Sequence, residues 1–111
     1  MLSNTLFIWH YTFLIIIMSD YKEIVIETYG QLKESMTTAP PARPVPGQGF
    51  DTGLKVECSE RMRRSHPVGT KFLVIAKLTE AYGTPFLYSS YRWKWRVLSD
   101  NETTLYLKLK K

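Results

Sequence analysis

The chain has 111 residues and a mass of 12.9 kDa, which at roughly 100–200 residues per domain leaves room for one compact domain and excludes a multi-domain enzyme. Apolar residues make up 44% and aromatic residues 14% of the sequence, enough for a packed core, so global disorder is excluded as well. One cysteine and two histidines rule out an internal disulfide and a four-ligand structural zinc site; no metal or cofactor is expected, and stability must come from hydrophobic burial.

The net charge of +5 is unevenly placed. Residues 1–53 carry three bases and five acids, a balance of −2, whereas residues 54–111 carry twelve bases and five acids, a balance of +7. A concentrated positive field favours an anionic partner because it raises the encounter rate with polyanions. The competing reading is a solvated basic surface that serves solubility.

Residues 1–17 read as an apolar leader. From Leu6 to Met18 there is no formal charge, yet as a helix this stretch spans only about 20 Å, too short for a hydrocarbon layer of ~30 Å. No base precedes it and no small-residue cleavage site follows, so it lacks the form of a secretory signal. Met18-Ser-Asp-Tyr opens like an ordinary soluble protein, and Met18 is read as the native start. No stable membrane insertion is expected, and the expected location is the cytoplasm.

Residues 18–36 fit an accessory amphipathic helix: Tyr21, Ile24, Val25, Thr28, Leu32 and Met36 fall at helical spacings, with acids near the start and Lys33 near the end. Against it stand the β-branched density of Glu23-Ile-Val-Ile-Glu-Thr-Tyr and the presence of Gly30. Residues 37–49 hold Pro40, Pro41, Pro44, Pro46, Gly47 and Gly49, a composition that predicts an extended linker or surface strap without regular structure. Pro41 and Pro44 also satisfy the P-x-x-P pattern of a polyproline ligand, which short Pro-rich linkers match by chance.

Residues 50–111 form the predicted basic β domain. Leu54, Val56 and Cys58 alternate with Lys55 and Glu57 as a short strand. Ser59 to His66 predicts a turn or two of helix capped by Ser59 and ended by Pro67 and Gly69, with Arg61, Arg63 and Arg64 facing solvent. Lys71 to Leu78 is apolar on both faces at its centre and is the candidate central strand. Thr79 to Pro85 reads as a connection.

From Tyr91 onward the alternation is regular: Tyr91, Trp93, Trp95 and Val97 share one face, Arg92, Lys94 and Arg96 the other. The aromatic face is expected in the core. The basic face would present one cation every ~6.7 Å, an interval that suits successive phosphates of a nucleic acid strand. A further account places Trp93 or Trp95 outside as a stacking platform for bases. Leu105, Leu107 and Leu109 alternate with Tyr106, Lys108 and Lys110, predicting a last strand, and Asp100-Asn101-Glu102 predicts the turn that pairs it with Tyr91–Leu98 as an antiparallel hairpin. Lys108 and Lys110 would then extend the basic face.

The fold expected is mainly β (α+β): a small curled antiparallel sheet, or an SH3-like or OB-like barrel of four to five strands, with the accessory helix over one end. Phosphate-loop, metalloprotease, serine-hydrolase and paired C-x-x-C motifs are absent. His66, with Glu57, Glu60, Arg61 and Arg64 nearby in sequence, could serve a metal-independent ribonuclease, against the plainer reading of a turn residue bonded locally. Cys58 reads as a buried, inert thiol. The sequence favours a non-catalytic nucleic-acid-binding module for DNA or RNA, with phosphate contacts from Arg61, Arg63 and Arg64 in one cluster and Arg92, Lys94, Arg96, Lys108 and Lys110 in another. The alternative is an interaction or structural domain docking an acidic protein.

Overall fold

The computed structural model describes residues 20–30, 39–81 and 83–110. The leader at 1–17, the proposed start at Met18 and residues 31–38 lie outside them. The fold is mainly β, a curled six-stranded mixed sheet with two helices among the described residues. The strands are β1 (Lys22–Thr28), β2 (Ala42–Pro44), β3 (Val56–Glu57), β4 (Lys71–Ala81), β5 (Thr84–Tyr88) and β6 (Arg96–Leu98); the helices are α1 (Glu60–Arg64) and α2 (Asp100–Leu109). No helix among the described residues is long and apolar enough to cross a membrane.

β4 is the central strand, as its two-sided apolar run predicted. Phe72 pairs with Ile26 on one side and Val97 on the other, so β1 and β6 flank its first half. Its second half pairs with β5. Ala81 pairs with Thr84, and Gly83, just before Thr84, takes φ +80°, a conformation that strains any residue with a Cβ. Thr79–Ala81 and Thr84–Pro85 are therefore strand rather than connection. The sheet is not wholly antiparallel, because β3 pairs with β5 in parallel through Val56↔Leu87 and Glu57↔Tyr88.

The accessory helix is not formed where it can be seen: Lys22–Thr28 is a strand between β2 and β4. The reason lies in burial on both faces. Ile24 and Ile26 point into the curl against Phe72, Val74, Met62 and Leu87, while Val25 points the other way into a second cluster with Val45 and Leu98. Three consecutive buried β-branched residues suit a strand covered on both sides and cannot all lie on one helix face.

The Pro-rich segment also departs from expectation. Ala42–Pro44 is an edge strand, and Pro40, Ala42, Pro44 and Val45 are buried. Ladder bonds run from Tyr29 N to the Pro41 carbonyl and from Val45 N to the Val25 carbonyl. Pro44, opposite Ile26, therefore has its missing N–H on the outer edge, where no partner strand needs it. β1 and β2 belong to the same sheet as β3 to β6, so this segment does not separate an accessory element from a main domain.

The terminal hairpin is replaced by helix. Ser99 accepts from Glu102 N through its hydroxyl while the Glu102 carboxylate accepts from Ser99 N, a complete capping box. Thr103 is buried, and Tyr106 and Leu107 pack on the second core cluster. These positions, i, i+3 and i+4, are the helical period beneath the apparent leucine alternation. Leu105 and Leu109 are left exposed. α2 thus covers part of the outer sheet face, with Lys71 Nζ 2.9 Å from Asp100 and 4.0 Å from Glu27.

The strand predicted over Tyr91–Leu98 survives only as Arg96–Leu98. Trp93 N donates to the Ser90 carbonyl and Arg92 N to the Ser90 hydroxyl, a turn that ends the alternation.

Candidate nucleic-acid interface

α1 positions the first group of basic residues. The Ser59 hydroxyl accepts from Met62 N as N-cap, as its sequence position predicted, and Ser65 N closes on the Arg61 carbonyl. Five residues cannot hold a helix unaided; Met62, fully buried, anchors it to the core. Arg61 is left exposed on this anchored turn, while Arg64 ion-pairs with Glu60 at 3.4 Å.

Arg63 corrects the expectation of a solvent-facing triplet. It is half-buried, donating from Nη1 to the Pro40 carbonyl at 2.8 Å and from Nη2 to the Cys58 carbonyl at 3.3 Å. Pro40 precedes β2 and Cys58 follows β3, the two ends of the curled sheet, which approach each other without a backbone ladder. A guanidinium fork closes this seam, so Arg63 is structural. Burial pushes the Cys58 thiol above its ordinary value, with Arg63 acting in the opposite sense. That suits an inert thiol better than a nucleophile.

The single outward face expected for Arg92, Lys94 and Arg96 does not exist, because the turn at Ser90–Trp93 breaks the strand that would have aligned them. In its place the segment exposes aromatics: Tyr91 is 69% and Trp95 39% exposed. Only Trp93 is drawn inward, its ring edge-to-face with Tyr21 at 4.5 Å. Trp95 is held by His66 and Phe72, with ring centroids 5.5 and 5.8 Å away and near-perpendicular planes. His66 is itself fixed against Phe72 at 5.2 Å and by an Nδ1–H bond to the Met62 carbonyl at 2.9 Å. This is the locally bonded turn histidine. Glu60 pairs with Arg64 and Glu57 with Lys55, so neither carboxylate hydrogen-bonds His66 among the described residues.

Trp95 forms a wall shared by two open clefts. One, about 420 Å³, is lined by Ser59, Arg61, Ser65 and Tyr91. The other, about 370 Å³, is lined by Leu73, Val74 and Ile75 together with Lys94, Arg96 and Glu23. Arg92 donates to the Tyr91 hydroxyl at 3.0 Å and stacks over that ring, 5.5 Å from its centroid. Arg61, Arg92, Lys94 and Arg96 make no ion pair within 4.0 Å of a carboxylate among the described residues. Arg96 nonetheless lies near enough to Glu102 to help hold that carboxyl low, behind the larger effect of the Ser99 hydrogen bonds.

The structure therefore gathers Arg61, Arg92, Lys94 and Arg96 around Tyr91 and Trp95, and excludes Arg63. Lys108 and Lys110 sit on and just after α2 rather than on a neighbouring strand. Lys110 lies 5.2 Å from the Tyr106 ring centroid and lines a separate recess of about 180 Å³ with Lys22, Gln48 and Leu107. The exposure of Tyr91 departs from the core position that strict alternation assigned it, and that of Trp95 agrees with the second account, in which one of the indoles lies outside. No group of three His, Cys, Asp or Glu side chains converges among the described residues as a metal site requires. Comparisons with known protein families, curated proteins and solved structures find no match to this chain.

Proposed function

We propose that this protein is a small, non-catalytic nucleic-acid-binding module whose interface is the basic and aromatic patch formed by Tyr91–Arg96 and the exposed side of α1. The observation that carries the reading is the arrangement about Trp95: a half-exposed indole fixed from behind by His66 and Phe72, with Arg61 on one side and Lys94 and Arg96 on the other. Cations without carboxylate partners are available to phosphates, and the aromatic surface between them contributes contact that a merely solvating surface would not need.

Four phosphate contacts imply a log–log salt slope of about −3 to −4, from ~0.7 per contact on a single strand to ~0.9 on a duplex. The test is fluorescence anisotropy of labelled oligonucleotides at two salt concentrations, comparing wild type with Arg92→Glu/Lys94→Glu/Arg96→Glu. The proposal expects binding at low salt, steep weakening at high salt and loss in the triple variant. Wild-type protein that retains no nucleic acid at low salt, or a triple variant that binds unchanged, overturns it.

A further inference from the structure

Resting on that reading, we infer that the ligand is single-stranded, with a base stacked on Trp95 or Tyr91 and the adjoining phosphates on Lys94, Arg96 and Arg61. Three observations converge. First, two large rings within five residues are exposed, and an aromatic surface is of little use against a duplex, whose bases are stacked away and whose outside is sugar and phosphate. Second, the cleft beside Trp95 combines an apolar lining of Leu73, Val74 and Ile75 with the cations Lys94 and Arg96. That division matches a nucleotide, whose flat base is apolar on its faces and whose phosphate is anionic.

Third, Glu23 stands in the same cleft, opposite Ile75 in the β1–β4 register. One of its oxygens accepts from the Tyr106 hydroxyl at 2.9 Å. A carboxylate repels phosphate but accepts from the amino groups on base edges, so its presence fits a base entering the cleft and the backbone staying outside. The cations, moreover, come from α1, the turn and β6 rather than from one evenly spaced row. They surround the rings, as an unstacked strand requires, and do not track a regular helical backbone.

The test uses a labelled oligodeoxycytidine, the matching oligocytidine and a duplex of equal length at neutral pH, with wild type, Tyr91→Ala, Trp95→Phe and the charge-reversed triple variant. Tyr91→Ala touches an exposed ring and should leave thermal unfolding unchanged, and Trp95→Phe keeps an aromatic against His66 and Phe72. The single strands are expected to bind at least tenfold more tightly than the duplex. Loss of a stacking ring should weaken them about five- to a hundredfold, and tryptophan quenching on binding should fall in Trp95→Phe. Equal affinity for strand and duplex, or strand binding indifferent to both Tyr91→Ala and Trp95→Phe, overturns this inference while leaving the polyanion reading in place if the triple variant still fails to bind. Absence of all binding by wild type at low salt overturns both.

Discussion

The side-chain amide of Gln48 pairs with the backbone of Val25 as a neighbouring peptide group would: its oxygen accepts from Val25 N at 2.7 Å and its nitrogen donates to the Val25 carbonyl at 2.8 Å. The same nitrogen reaches the Val45 carbonyl at 2.8 Å. β2 has ended by this point, so the amide continues the ladder beside a fully buried residue of β1, where an unmade hydrogen bond is costly.

Gln48→Ala should therefore destabilise the fold by about 1–3 kcal/mol, lowering the melting temperature by roughly 4–8 °C for each kcal/mol in a domain near this size. Gln48→Glu keeps the acceptor but sets an oxygen against two carbonyls, so its deficit should be large at neutral pH and shrink as the new carboxyl protonates. Thermal unfolding by circular dichroism at two pH values checks both. A Gln48→Ala melting curve superposed on wild type would remove the claim.

Arg63→Ala should open the seam between β2 and β3. It leaves the Pro40 and Cys58 carbonyls without their charged donor, at a cost of about 2–4 kcal/mol by the usual worth of charge-assisted bonds. Arg63→Lys should recover only part, because one ammonium cannot fork between both carbonyls with the guanidinium's planar geometry. The urea midpoint is the measurement, and the expected order is wild type, then Lys, then Ala. Charge loss alone would make Lys indistinguishable from wild type.

The capping box makes α2 acid-sensitive. The Ser99 backbone N–H, and then its side chain, hold the Glu102 carboxyl below its ordinary value. A depressed folded-state value means that the stabilisation is complete above the ordinary carboxylate range and is lost as pH falls through the lower, folded value. Helical ellipticity should thus decline on acidification, and Glu102→Gln, which preserves the capping box without titrating, should flatten that decline. Ser99→Ala should cost about 1 kcal/mol near neutrality.

Cys58 should alkylate slowly. Burial raises its thiol above the ordinary value, so the thiolate fraction at neutral pH is smaller than in an unfolded peptide. Iodoacetamide labelling at a single neutral pH followed by mass spectrometry should show a rate below that of the urea-unfolded chain. A faster rate in the native protein would contradict the assignment.

Where local chemistry was decisive, the sequence could be read directly. The run from Lys71 is apolar on both sides and became the central strand; Ser59, Pro67 and Gly69 bounded α1 because capping and termination act over a few residues; His66 bonded within its own turn. The Ser99–Glu102 spacing of α2 was also there to be read, but the alternation of Leu105, Leu107 and Leu109 obscured it. That alternation carries no weight once Thr103, Tyr106 and Leu107 are seen to be the residues turned inward.

What the chain could not disclose by itself were matters of two-sided burial. Ile24, Val25 and Ile26 become a strand only because the curl receives two of them and α2 and β6 help cover the third. Pro44 becomes a strand residue only because its missing N–H falls on an edge. Arg63 and Trp95 exchange their expected places for the same reason: the seam between β2 and β3 offers carbonyls that draw a guanidinium in, and the turn at Ser90 swings an indole out. Composition and short-range spacing set the mainly β character and the basic second half, whereas the packing of distant segments decided which of those bases are drawn into the fold, as Arg63 is, and which stay exposed, as Arg61 does.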